Sequence, residues 1–171
     1  MKNIILILFL TFSSIVSCQT ANILTPTEFD NIKINGVNLA TIKNTFGNQN
    51  AIEALFGTAN EKTIDPEGEF TYFKFNGFTI GFSAQVSGSA IDSLLIGGFD
   101  ITNNNSNITI QGVTVTIGDN ISALGNVVFN TMNDEGKSIV YQYCDGCNNF
   151  ISIRFNQSTN IITEIIYIEQ T

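Results

Sequence analysis

Apolar and polar residues alternate along most of the chain beyond its first twenty positions, and a period of two predicts β-strands. The stretch NIKINGV at residues 31–37 returns as NITIQGV at residues 107–113. In each copy a polar residue and a glycine, Asn35-Gly36 or Gln111-Gly112, lie between alternating apolar residues. This arrangement predicts a two-residue hairpin turn, and Asn-Gly is the stronger signal of the two.

The features that follow each hairpin occur in the same order. A window with helical spacing comes first, then an acidic loop that contains glycine, an aromatic strand, a returning strand and a final aliphatic strand. We therefore predict an α+β fold that is a tandem repeat of hairpin, helix and three antiparallel strands, with the helices packed on one face of the sheet. The predicted divisions are half 1 at residues 30–101, a polar linker at 102–106 and half 2 at 107–171.

The composition argues against several functions. The chain contains no His, which is the commonest general base near neutral pH and the commonest metal ligand. We therefore predict a non-catalytic protein without a metal or cofactor, and a hydrolase that relies on carboxylates is the alternative. Only 7 of the 171 residues are Lys or Arg and the formal net charge is −8, so nucleic acid is not an expected partner.

The N-terminus has the pattern of an export signal. Lys2 is followed by an apolar run from Ile4 to Leu10 and then by small residues. The run is too short to cross a bilayer as a helix, which needs about 20 residues. We therefore expect cleavage rather than a permanent membrane span.

The ending IVSC at residues 15–18 resembles the lipobox of bacterial lipoproteins. The resemblance implies that the signal peptide is residues 1–17 and that Cys18 carries a diacylglycerol thioether and an amide-linked acyl chain such as palmitate. Several acyl chains together anchor a protein to a membrane. Gln19 favours the outer membrane of a Gram-negative bacterium, and residues 18–29 would link the anchor to the first half. An ordinary secretory signal with a chance cysteine is the alternative.

Two further resemblances concern the arrangement of the chain. The layout in two similar halves resembles that of the β-lactamase inhibitor protein. The order of helix, Phe-Gly, loop and Tyr-bearing strand within residues 51–82 resembles the small lipoprotein of the outer-membrane β-barrel assembly machinery. Both imply a protein whose open sheet face or edge holds another protein, although the chain lacks the inhibitor family's tryptophans and its two cysteines per half.

We therefore predict a non-catalytic lipoprotein of the cell envelope that acts as a protein-binding or assembly module. It would contact the membrane through its N-terminal lipid and hold a protein partner. An inhibitor or toxin-immunity protein is the more specific alternative. A hydrolase that acts on an envelope polymer is the alternative from another class.

Two cysteines remain beyond Cys18. Cys144 and Cys147 flank the predicted turn Asp145-Gly146, and a close cysteine pair in an exported protein predicts a disulfide. Unpaired thiols and a redox or zinc role are the alternatives. The acidic loop at residues 65–69 could gather oxygen ligands for calcium, but solvated turn acids are the ordinary interpretation.

The aromatic strand of the first half is apolar on both faces. Alternation places Phe70, Tyr72 and Lys74 on one face and Phe73 and Phe75 on the other. Such a strand is either central and covered on both faces or part of an open binding face.

The candidate binding face consists of Tyr72, Tyr141, Tyr143 and Arg154, because Tyr and Arg are enriched at binding hot spots. In the repeat, Tyr72 aligns with Tyr141. We expect Tyr72 to belong to the core and Tyr143 and Arg154 to lie on the surface.

Overall fold

A computed structural model describes residues 22–87, 90–132 and 136–169 of the chain. The predicted signal peptide, Cys18 and most of the second acidic loop, at residues 133–135, lie outside the described residues.

The described part of the first half begins with a short strand and a capped helix. Thr25 and Glu28 form a capping box that satisfies the free backbone N–H groups at the start of this helix, and the side chain of Asn48 caps the longest helix. The elements are β1 (Asn22–Ile23), α1 (Pro26–Asp30), β2 (Lys33–Ile34), β3 (Val37–Asn38), α2 (Leu39–Lys43), α3 (Gln49–Phe56), β4 (Glu61–Ile64), β5 (Phe70–Lys74), β6 (Phe78–Ser87) and β7 (Ala90–Ile101).

The second half consists almost wholly of strands. The one helical element among its described residues is a single 3₁₀ turn at Ile121–Leu124, which Gly125 ends with a φ of 71°. The strands are β8 (Asn107–Ile110), β9 (Val113–Thr116), β10 (Phe129–Met132), β11 (Gly136–Gln142), β12 (Phe150–Asn156) and β13 (Ile161–Ile168).

The large sheet has the strand order β1-β11-β12-β13-β7-β6-β5-β4, and β10 pairs with β11 beside β1. All pairs are antiparallel except β1 with β11. The last strands of the two halves meet at the centre, where Phe99 of β7 lies opposite Tyr167 of β13.

The small sheet has the order β3-β2-β8-β9, so the first strands of the two halves also pair with each other. The turns of its two hairpins adopt matching left-handed conformations, with φ of 48° and 84° at Asn35 and Gly36 and of 48° and 83° at Gln111 and Gly112. Two-residue hairpin turns require this conformation. The amide of Asn35 also donates to the Ser106 hydroxyl at 3.2 Å, which ties the predicted linker to the first hairpin.

The core lies between one face of the large sheet and a layer that contains the helices and the small sheet. Phe29 of α1 packs on Tyr167, with ring centroids 5.9 Å apart, and Phe56 of α3 packs on Phe78 at 5.0 Å. Ile34 of β2 is fully buried in the same continuous cluster. We call this the covered face of the large sheet.

The predicted α+β class was wrong, because the described residues are mostly β, with thirteen strands against three short α-helices and one 3₁₀ turn. The helical windows are short, and Gly125 stops the second one after a single 3₁₀ turn. Each half also contributes four strands after its hairpin to the large sheet instead of three, and β1 makes that sheet mixed. Residues 22–30, which fall largely in the predicted N-terminal linker, form β1 and α1.

Candidate functional site

The helices and the small sheet contribute to the core on the covered face, and we call the other face of the large sheet the open face, although Ser138, Val140 and Ser152 on it are buried. Its residues follow from the register. Tyr72 lies opposite Gly81, Gly81 opposite Gly98, Gly98 opposite Ile168 and Ile168 opposite Phe150. Side chains at paired positions point to the same side of a sheet, so this row crosses the open face from β5 to β12.

A concavity of 470 Å³ lies above β6 and β7 on the open face. Its floor is low because Gly81, Gly97 and Gly98 carry no side chains there. Phe70 and Tyr72 line one side, and Ile166 and Ile168 line the other.

A second concavity of 360 Å³ adjoins the first, because Ile166 and Ile168 line both. Its remaining lining residues come from β10, β11 and β12 and are Asn130, Val140, Gln142, Phe150, Ser152 and Arg154. The two concavities together form what we call the open-face groove. It crosses six strands from β5 to β11, a width of about 24 Å at the usual strand spacing.

Two of the three glycines in the floor of the groove lie very close to neighbouring atoms. A Cβ on Gly81 would lie 2.9 Å from the Tyr72 ring, so this ring lies directly across Gly81. A Cβ on Gly98 would collide with the backbone carbonyl oxygen of Tyr167. Gly97 differs, because a Cβ there would meet its nearest atoms at 3.8 Å, an ordinary van der Waals contact.

Phe70 and Tyr72 form an exposed aromatic pair at the side of the groove. Their rings are stacked, with centroids 6.3 Å apart and an angle of 19° between the planes. The two residues are 39% and 40% exposed. Rigid aromatic side chains with this exposure are typical of binding hot spots.

Most charges of the open face are paired. Arg154 Nη1 lies 3.0 Å from Glu164 Oε2, and Lys74 Nζ lies 3.7 Å from Glu61 Oε2. Asp100 forms neither a hydrogen bond nor an ion pair with any residue that the structure describes. Partial burial, together with the nearby negative charge of Glu164, raises the pKa of the Asp100 carboxyl above its usual value.

No family model, curated protein or solved structure significantly matches this chain. The resemblances to bacterial lipoproteins, to the β-lactamase inhibitor protein and to the assembly-machinery lipoprotein therefore stay predictions. None of the helices in the described ranges is both long and apolar enough to cross a bilayer.

The structure divides the four residues of the predicted binding face between the two faces of the large sheet. Tyr72 and Arg154 belong to the open face. Tyr141 is only 3% exposed in the covered face, where burial raises its pKa to about 12. Tyr143, 38% exposed, follows on the same side and packs edge-on against Phe29 of α1 at 5.6 Å.

The predicted alignment of Tyr72 with Tyr141 was wrong by one residue. Tyr141 lies opposite Ile151, which lies opposite Tyr167, whereas in the first half Phe73 lies opposite Ile80, which lies opposite Phe99. Tyr141 therefore corresponds to Phe73. Neighbouring residues of a strand point to opposite faces of a sheet. Because Phe73 faces the core, Tyr72 lies on the opposite face, at the surface.

Several residues of the groove were missed by the sequence analysis, among them Phe150, Ile166, Ile168 and Asp100. The closing strands IDSLLIGGFDI and ITEIIYIE were interpreted only as aliphatic strands. The adjacent glycines Gly97-Gly98 were the available signal, because glycine inside a strand often marks a bulge or a close approach.

The structure joins Cys144 and Cys147 in a disulfide with Cα atoms 5.2 Å apart, in the connection between β11 and β12. In the acidic loop at residues 65–69, the Asp65 carboxylate accepts a hydrogen bond from the Phe70 amide at 2.6 Å and so closes the turn. Within the described ranges, no group of three Asp, Glu or Cys side chains is arranged to hold a metal ion.

Proposed function

We propose that the protein is a non-catalytic binding module of the bacterial cell envelope and that its open-face groove holds a protein partner. The observation that carries the proposal is the asymmetry of the large sheet. One face is filled by the core, and the other presents two adjoining concavities of 470 and 360 Å³ with apolar walls. Contiguous exposed apolar surface of this kind is uncommon on monomeric proteins and is typical of interaction sites.

Two features support binding over hydrolysis. The groove is an open, largely apolar trough lined by the exposed rings of Phe70 and Tyr72 and by the half-buried Ile166 and Ile168. Asp100 is the single carboxylate among the residues that line the two concavities, and the nearby carboxylate of Glu164 is held by Arg154 at 3.0 Å. Glycoside hydrolysis usually needs two carboxylates in separate roles.

The predicted lipid anchor would place one end of the groove near the membrane. β1 starts four residues after Cys18 and pairs with β11, and four extended residues span at most about 14 Å. The start of β1 is fixed by its first side chain. The Asn22 amide donates to the carbonyls of Val140 at 3.0 Å and Val128 at 3.1 Å, and its oxygen accepts from the Val128 amide at 2.8 Å.

An inhibitor or toxin-immunity protein would use the same surface. The two roles differ in the partner, which in that case is an enzyme or toxin whose activity falls when the groove is occupied.

The proposal is tested by filling the groove. Gly97→Leu places a side chain in the groove at a position where a Cβ is tolerated and the backbone is not left-handed. Thr41→Leu is the matched control, because Thr41 is an exposed residue of α2 on the other side of the molecule. The affinity-tagged lipoprotein and both variants are used to capture partners from the native envelope.

We expect Gly97→Leu to lose a partner that the unchanged protein and Thr41→Leu both retain, while its unfolding midpoint stays close to that of the unchanged protein. Equal capture by all three proteins would contradict the assignment of the groove.

A further inference from the structure

Asp100 presents an exposed carboxylate on the open face, and no cation among the described residues pairs with it. It lies on the open face between Thr79 of β6 and Ile166 of β13, its partners in register. Neither neighbour carries a positive charge, and partial burial raises its pKa. A ligand that supplies a cation would give this carboxylate a charged hydrogen-bond partner that its neighbours in register do not provide.

The cations already on this face are engaged elsewhere. Lys74 lies in the same row as Thr79 and Asp100, but its ammonium is 3.7 Å from Glu61 at the sheet edge. Arg154 is bound to Glu164 at 3.0 Å. Neither of these two cations is paired with Asp100 in the described part of the chain, so a ligand can supply the positive charge.

The wall beside Asp100 suits a long basic side chain. Phe70 and Tyr72 line the same concavity and present stacked rings. A Lys or Arg can pack its aliphatic stem against such a wall and place its charged end over an aromatic ring or beside a carboxylate. Ile166 and Ile168 on the opposite side offer apolar contacts to neighbouring residues of the same ligand.

The net charge of the chain indicates which class of molecule can bind in the groove. The formal net charge is −8, and it becomes −9 if Lys2 leaves with the signal peptide. A second copy would bring Asp100 towards another acidic protein, and anionic lipids or nucleic acids would be repelled. A basic protein would be attracted over a longer range.

On these grounds, and resting on the proposed function, we infer that the groove binds a basic, amphipathic protein segment. The apolar side chains of this segment lie on Ile166 and Ile168, and one of its Lys or Arg residues lies between Tyr72 and Asp100.

The test uses two designed amphipathic helical peptides that share one leucine face and carry either Lys or Gln at every polar position. Affinities are measured at physiological ionic strength for the unchanged protein, Asp100→Asn and Asp145→Asn. Asp145 is exposed in the turn between β11 and β12, so its replacement removes the same charge outside the groove. Asp100→Thr, which suits a strand, is a second variant at the same site.

We expect the unchanged protein to bind the Lys peptide at least about tenfold more tightly than the Gln peptide, as a charge-assisted hydrogen bond allows. Asp100→Asn and Asp100→Thr should lose most of this preference, and Asp145→Asn should keep it. Equal weakening by Asp100→Asn and Asp145→Asn, or equal affinity of the unchanged protein for both peptides, would overturn the inference.

Gly97→Leu separates this failure from failure of the proposed function. If the groove binds without selecting for charge, Gly97→Leu still weakens both peptides, and only the partner class is wrong. If Gly97→Leu changes the binding of neither peptide, the groove is not the binding surface, and both proposals fail.

Discussion

Tyr72 and Tyr141 test the assignment of the two sheet faces, because the structure places Tyr72 on the open face and Tyr141 on the covered face. Tyr141→Ala removes an aromatic side chain that is 97% buried, so the lost transfer free energy is joined by the cost of a cavity. We expect this variant to be about 3–5 kcal/mol less stable than the unchanged protein. Tyr72 is 40% exposed and leaves no enclosed cavity, so Tyr72→Ala should cost about 1 kcal/mol.

Chemical denaturation of the chain without its predicted signal peptide, followed by far-UV circular dichroism, measures both changes. The chain contains no Trp, so circular dichroism is the more direct probe. In thermal unfolding, Tyr141→Ala should lower Tm by roughly 6–20 °C and Tyr72→Ala by roughly 2–4 °C.

We expect Tyr72→Ala to affect partner binding although it has little effect on stability. Tyr72→Ala should weaken capture of the groove partner, since it removes one of the two stacked rings. If Tyr72→Ala destabilises the fold as much as Tyr141→Ala does, the open face is covered and the face assignment is wrong.

Three further predictions concern the anchor, the disulfide and the response to pH. Cys18→Ala should release the protein from membranes or block its processing, and normal cleavage with continued membrane association would contradict the lipoprotein interpretation. Reduction of Cys144–Cys147 should change stability by at most about 2 kcal/mol, because the closed loop is very short; two alkylatable thiols in native exported protein would exclude the bridge. The pKa of Tyr141 is raised from 10 to about 12 in the folded state, so a contribution of about 3 kcal/mol to stability is present below pH 10 and is lost as the pH rises from about 10 to 12. Tyr141→Phe should reduce that loss, as measured by denaturation at several alkaline pH values.

The hairpins could be predicted from the sequence because their signals are local. Asn35-Gly36 is a turn that needs two left-handed residues, and the alternation on both sides of it defines the strands β2 and β3. The fold class was harder to predict from the sequence. Residues 121–128 have helical spacing, yet a glycine with positive φ at residue 125 stops the helix after one 3₁₀ turn.

The groove could not be predicted because it depends on the pairing of distant strands. β5 carries aromatic residues and β11 carries apolar residues in both alternating positions, so hydrophobicity alone does not define which side faces the core. The pairing of β7 with β13 then brings Gly98 and Ile168 together across about 70 positions of sequence. Register shifts after Gly81 and after Arg154 further change which residues share a face.

Site-specific photocrosslinking in the source organism is the most direct test of the groove as a binding surface. The photoreactive residue p-benzoylphenylalanine replaces Tyr72 or Ile168 in the groove, or Thr41 on α2 as the control. We expect one partner to crosslink to the protein from both groove positions and not from Thr41, and Gly97→Leu to abolish the crosslinks. Crosslinking of the same partner from Thr41 alone, or equally from all three positions, would contradict the claim that the open face of the sheet is the binding surface.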